Sequence, residues 1–426
     1  MMDLYSFRPR LLARSLPEMA SRRIVVLTGA RQTGKTTLSK KVYGKLRYLN
    51  LDAPENRDTL RELSTLAWGE VVGNAVIDEA HKEPSVFEKV KYAFDERKVS
   101  FTVLTGSSQI LLMRKIRESL AGRAFFYELW PLMQSEIHAL PENGVVDPPL
   151  LEHILSSGSL SGTLAHVPEA LLEAQDHLYQ VAENHILQWG GMPALLDLPE
   201  EERWQWLKNY GYTYLERDLS DLARLGDLMP FRKFQRLSAL RSSMLLNYSE
   251  LARDAGISVD TARRYLEYLQ ISYQTALLQP FYRNLTSSVV KTPKLYWTDV
   301  GIWRQLSGFR GELSGQAYET MVVGELFKWI RTSQREIEVF FYRTRSGMEI
   351  DLVLETGAGL IGIEIKSRDT IVEKDIRSLK AVAEALGSQW LGGLVVYTGS
   401  RINLIAAPNI WAVPSRRLFQ PASPAA

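Results

Sequence analysis

The 426-residue chain contains no cysteine. That excludes disulfide cross-links, cysteine-ligated zinc and thiol catalysis. No stretch approaches about 18 uninterrupted apolar residues, so no membrane-spanning helix and no membrane partner are expected. The opening MMDLYSFRPRLLARSL lacks the apolar centre of a secretory signal, which makes a cytoplasmic location the expectation. A large net charge is also missing: the formal value is +2. The charge is unevenly spread, however. Residues 231–310 hold 12 Lys/Arg against 5 Asp/Glu, and the remainder holds 39 against 44. A local basic region in a near-neutral chain fits a face for nucleic acid or an acidic partner, or a solvated surface. Internal repeats and low-complexity tracts are absent.

What is present is an ordinary globular composition, 45% apolar and 23% charged. This length corresponds to two or three domains. IVVLTG (24–29), LRYLNLD (46–52), AVIDEA (75–80), FTVLTGS (101–107) and AFFYELWPL (124–132) read as strands separated by helical patterns. That alternation predicts a parallel α/β sheet. Residues 138–165 are turn-rich, and 166–245 carry apolar residues at helical spacing. Residues 246–310 read as a compact helical unit followed by a small β element, and 316–412 return to α/β character. The last residues, FQPASPAA, read as a frayed tail.

GARQTGKT (29–36) fits the phosphate-loop pattern, follows the strand IVVLT and precedes a helical pattern. Its backbone amides, from Gly29, Ala30, Arg31, Gln32, Thr33 and Gly34 on to Thr37, and the helix N-terminus would cradle phosphates. Lys35 would reach the β- and γ-phosphates, and Thr36 would ligate Mg2+. AVIDEAH (75–81) ends a strand on Asp78 and Glu79, where α/β sheets place ligands. Asp78 is expected at the Mg2+ and Glu79 on the attacking water; His81 reads as structural. The string DEAH also occurs in helicases, but the Ser-Ala-Thr stretch expected on the next strand is missing. That strand ends instead in LTGSSQ (104–109), where Ser107 or Ser108 would sense the γ-phosphate or simply form a turn. SLAGR (119–123) offers Arg123, either as a transition-state arginine or in a surface ion pair.

GARQTGKTTL, VIDEAHK, LTGSS, LAGR and ELWPL, in this order, resemble the AAA-type P-loop ATPases of bacteria and archaea, which are related to the signal-transducing ATPases with numerous domains. The resemblance implies ATP and Mg2+. GGMPALL (190–196) is similar to that wider group's Gly-x-Pro element, which implies Pro193 against the adenine. YLERDL (214–219) is similar too, with Arg217 as a second phosphate sensor or as a partner of Asp218 or Asp221.

YSELARDAGISVDTARRYLEYL (248–269) reads as helix, turn, helix, with small Ala252 at the crossing and Gly256 in the turn. The second helix would present Ser258, Asp260, Thr261, Arg263 and Arg264. YQTALLQPFYRN and KTPKLYW read as a β-wing bearing Arg283, Lys291 and Lys294. A winged helix follows, its cations directed at DNA phosphates or its surface at a protein.

GMEIDLVLETGAGLIGIEIKS (347–367) reads as a β-hairpin. With its loop at 356–359, Glu355 faces Leu360 and Asp351 faces Glu364, with Lys366 on the same face. Two opposed carboxylates repel unless a cation or proton intervenes. The D-x12-E-x-K pattern, with Gly315 and Tyr318-Glu319 on a preceding helix, resembles the PD-(D/E)xK restriction-endonuclease-like fold. That resemblance implies a second divalent metal on Asp351 and Glu364, assistance from Glu319 (Glu325 lies nearly two turns on), and Lys366 orienting water.

The expected architecture is therefore α/β: an ATPase core over 1–137, a helical lid and linker over 138–235, a winged helix over 236–312, a nuclease-like domain over 313–415 and a tail over 416–426. The expected function is ATP hydrolysis coupled to a DNA-directed C-terminal module. A nucleotide switch for protein partners and an ATP-regulated nuclease are the alternatives, and a homo-oligomer is compatible with each.

Overall fold

The structure is a computed structural model that describes residues 7–106, 116, 120–139, 144–211, 228–282, 290–311 and 314–422. All five N-terminal strands form: β1 Arg23–Thr28, β2 Arg47–Asn50, β3 Ala75–Asp78, β4 Phe101–Thr105 and β5 Ala124–Glu128. They pair in parallel in the order β2-β3-β4-β1-β5. A parallel sheet covered on both faces needs strands that are apolar throughout. Accordingly, Ile24 and Val26 pack into one apolar cluster while Val25 and Leu27 pack into another. Each such side chain contributes roughly 1.5–3 kcal/mol on burial. The order places β4 between the phosphate-loop strand β1 and the acidic strand β3.

The C-terminal half is organised on a second, mixed sheet in the order β13-β14-β12-β11-β10-β9-β7-β8-β6. Its strands are β6 Met244–Leu245, β7 Thr275–Pro280, β8 Lys294–Trp297, β9 Glu338–Arg343, β10 Glu349–Thr356, β11 Gly359–Lys366, β12 Trp390–Tyr397, β13 Asn403–Ala406 and β14 Ile410–Pro414. Helices Tyr248–Ala255 and Val259–Ile271 form the expected pair, capped by Asn247 and Ser258. Gly256 ends the first in the left-handed region at φ 74, which permits the tight turn.

The expected wing is more than a wing. β7 pairs in parallel with β9 through Gln279–Phe340 and Pro280–Phe341, so one sheet runs across the boundary expected at 312/313. One apolar cluster likewise joins Leu150 and Ile186 of the lid region, Leu266, Trp297, Trp329 and Leu354. The tail needs correction as well. Ser415–Leu418 is helical, Phe419 and Gln420 are buried, and Gln420 Nε2 donates to Gln134 O at 3.0 Å. Among the described residues, no helix is long and apolar enough to cross a membrane.

The hairpin has the expected register. Glu355 faces Leu360 and Leu352 faces Ile363, which sets Asp351 opposite Glu364; the turn itself is the two residues Gly357 and Ala358.

Candidate functional sites

The phosphate loop joins β1 to the helix Lys35–Val42. Gly29 has φ 148, and a Cβ there would meet Leu129 O at 2.1 Å, so only glycine fits. Gly34 caps the helix in the left-handed region. The buried Lys35 ammonium donates to Gly29 O at 3.0 Å and Ala30 O at 2.7 Å, which curls it over the loop. Thr33 Oγ1 donates back to Ala30 O at 2.9 Å. Arg10, which no motif in the sequence marks, fastens the loop from outside. Its guanidinium donates to Thr33 O at 2.7 Å and Trp130 O at 2.5 Å, and to Glu136 Oε2 at 3.1 Å.

Asp78 at the end of β3 is the local hub. Its Oδ2 accepts from Thr36 Oγ1 at 2.7 Å and Tyr48 OH at 2.5 Å, and its Oδ1 accepts from Thr105 Oγ1. Thr36 and Asp78, already in contact, fit the Mg2+ role expected of them. Thr105 occupies the place between the two motif strands where a polar residue was expected. The signal was the hydroxyl in LTGSS, whereas Ser107 and Ser108 lie outside the described residues. Next to Asp78, Glu79 is held at φ 56, a strained backbone for a non-glycine residue and the kind found at working sites. Burial raises its carboxyl above the ordinary value, Lys35 opposes this, and Asp78 adds to it. His81 Nδ1 lies 3.3 Å from Glu79 Oε2.

Other expected nucleotide contacts are placed as follows. Arg123 makes a two-pronged ion pair with Asp95 at 2.6 and 2.9 Å, the surface pairing that was its simpler reading. Pro193 caps the short helix Ala194–Asp197, and Arg217 lies outside the described residues. The preceding Gly191 accepts from Leu132 N at 2.6 Å and donates to Asp299 Oδ2 at 2.8 Å, which ties this turn to the segment after β5.

That segment is where the C-terminal half takes hold. Glu325 Oε2, on the helix Gly315–Ser333, accepts from Gln134 N at 2.8 Å, and Lys328 Nζ, paired with Glu325, donates to Leu132 O at 3.0 Å. Tyr273 OH donates to Thr28 Oγ1 at 2.7 Å, and its ring meets Trp130 edge-on. Tyr210 OH donates to Arg31 O in the phosphate loop at 3.1 Å.

A second pocket, of about 430 Å3, is lined by Lys294, Glu319, Glu349, Asp351, Glu364 and Lys366 among others. The four residues expected from the hairpin and helix thus share one pocket. Burial raises the Glu319, Asp351 and Glu364 carboxyls, and the Asp351 charge raises the two glutamates further. Lys366 Nζ donates to Glu364 Oε1 at 2.6 Å, and Tyr296 OH to Glu319 Oε1 at 2.7 Å. Glu349, Lys294 and Arg343 are the other charged residues lining the pocket. Lys294, expected on an exposed wing as a DNA contact, is only 3% exposed and points into these acids. Of the other cations expected there, Arg263, Arg264 and Lys291 are exposed, Arg263 over the Tyr248 ring, and Arg283 lies outside the described residues.

The parallel sheet, the phosphate loop and the Asp78–Glu79 pair define an AAA-type P-loop ATPase domain at the N-terminus. Residues 21–138 match the family model described as an AAA domain. Residues 182–313 and 314–418 match two further models, each described as a domain of unknown function, DUF8612 and DUF4143. The uncharacterized proteins Rv2008c of Mycobacterium tuberculosis and Mb2031c of Mycobacterium bovis are each 28% identical over 366 residues, covering 83% of this chain and 73% of theirs. Among solved structures, the Walker-type ATPase PABY2304 of Pyrococcus abyssi is similar at 17% identity and TM-score 0.44, over 71% of this chain and 99% of that one.

Proposed function

We propose that the chain binds ATP with Mg2+, hydrolyses it, and uses its nucleotide state to set the DNA affinity of the C-terminal module. The observation that carries the first part is the Thr36–Asp78 contact at 2.7 Å beside the Lys35 ammonium. In this reading the loop amides and Lys35 bind the phosphates. Thr36 and Asp78 hold Mg2+, which neutralises phosphate charge when bound. Glu79 takes a proton from the attacking water, and its burial makes it a better base than an exposed glutamate. Thr105 and Tyr48 fix the Asp78 carboxylate. Pro193 supports the adenine, while Ser107 and Arg217 are the candidates for reading the γ-phosphate; Arg123, paired with Asp95 at the edge of the sheet away from the loop, is not one within its own chain.

The second part rests on continuity and charge. Tyr273, Glu325 and Lys328 connect the ATPase core to the module, Tyr210 connects it to the lid region, and Arg263, Arg264 and Lys291 supply exposed cations on the module's helical unit and wing. A labelled DNA duplex titrated with the ATP-bound and ADP-bound protein tests it. Binding that differs between the states, weakens with salt and falls in the Arg263→Glu, Arg264→Glu variant is expected. Equal and negligible binding in both states would leave a protein partner as the better reading.

A further inference from the structure

We propose that Lys294 is the resident cation of the acidic pocket, standing where a divalent metal would have to bind, so that the pocket is neutralised by lysine and takes no metal. Lys294 opens β8, a fully buried strand held between β7 and β6. Its position is therefore set by the sheet rather than by a mobile loop. The ammonium lies 2.7 Å from Glu349 Oε1, 3.6 Å from Glu319 Oε1 and 3.9 Å from Asp351 Oδ1. Among the described residues it alone reaches three of the four acids. The fourth, Glu364, is taken by Lys366 at 2.6 Å, and Arg343 adds a contact to Glu349 Oε2 at 3.5 Å.

Two of the carboxylate oxygens also accept hydrogen bonds. Asp351 Oδ2 accepts from Ile365 N at 2.8 Å, and Glu319 Oε1 accepts from Tyr296 OH. Glu364 Oε2 is buried with no hydrogen-bond partner, but one fully buried free oxygen is not a coordination shell. A divalent ion takes oxygen ligands at about 2.0–2.6 Å. Among the described residues, no group of three or more His, Asp or Glu is disposed to hold one. An entering ion would also face a buried ammonium at contact distance, and like charges in a poorly solvated pocket repel strongly. The opposed pair Asp351 and Glu364 does need a positive partner, as the hairpin implies. Lys294, more than 50 residues before the hairpin, supplies it with Lys366.

Mn2+ binding to the nucleotide-free full chain, read by the EPR signal of free Mn2+, tests this. The wild type and Asp351→Asn should give the same isotherm, because neither has a metal site in the pocket. Lys294→Met, which keeps the stem and removes the charge, should gain a site at least about tenfold tighter than any in the wild type. That site should disappear in Lys294→Met, Asp351→Asn. A wild-type site lost in Asp351→Asn would overturn the proposal, as would a folded Lys294→Met chain that gains nothing. Should Lys294→Met fail to fold, the wild-type and Asp351→Asn pair decides alone: identical isotherms support the proposal, and a lost site overturns it.

Discussion

The hydroxyl of Tyr273 donates to Thr28 Oγ1 at 2.7 Å, so a residue of the C-terminal half touches the chain one residue before the phosphate loop begins. Tyr273 is fully buried there, between Trp130 and Ala30. Burial lifts its phenol well above the ordinary value, so it stays a donor at any working pH. Tyr273→Phe keeps the ring and removes the bond. Stability should fall by about 1 kcal/mol, and the difference in DNA affinity between the ATP and ADP states should shrink. Urea unfolding and paired titrations measure the two effects separately.

Arg10 holds the loop carbonyl of Thr33, the carbonyl of Trp130 and the Glu136 carboxylate at once. Arg10→Met leaves Glu136 buried with its backbone donors but without its cation. A broken buried pair costs about 3–5 kcal/mol. The variant should unfold at markedly lower urea concentration and bind nucleotide more weakly. Retained stability would show that Glu136 is satisfied by Leu11 N and Met133 N alone.

Glu79→Gln should keep ATP binding and lower turnover by at least about 100-fold, because a positioned base contributes that order. The base acts ionised, and burial raises its folded-state value. The acid limb of the wild-type rate should therefore lie above the ordinary glutamate range. A limb at the ordinary value, or full turnover in the variant, would remove Glu79 from the reaction.

Glu183 is buried where the long helix Glu173–Trp189 meets Ser415, whose hydroxyl donates to it. Burial pushes its carboxyl up to about 7, against the pull of Ser415 and Arg416. The folded state thus keeps a proton that the unfolded state has lost. The resulting stability is full below the ordinary value and is lost as pH rises through about 7, a change on the order of 3 kcal/mol. Glu183→Gln should flatten the stability–pH curve between pH 5 and 7, as read by thermal unfolding.

The legible parts of the chain were local. β1, the phosphate loop and its helix are consecutive, and the loop's glycines and Lys35 have no alternative use in such a context. The hairpin register followed from two strands and a turn only a few residues apart, which is why Asp351 opposite Glu364 could be read from spacing. What stayed illegible was distant. Gln134 and Glu325 are 191 positions apart, and nothing in either string announces the other. Lys294 sits in KTPKLYW, which reads equally as an exposed wing or an inner strand; only the β7–β9 pairing decides, by joining two expected domains into one sheet. The contacts of Tyr48 and Thr105 with Asp78 are likewise set by the sheet order, which brings hydroxyls of β2 and β4 to the end of β3 between them.

Phosphate release by the wild type and by Lys35→Ala, with ATP and Mg2+, tests the central claim most directly. Lys35 is buried, and its ammonium is curled over the loop that would receive the phosphates. Wild-type turnover that depends on Mg2+ and falls at least about 100-fold in Lys35→Ala is expected. Equal turnover in the two proteins would contradict hydrolysis at this site.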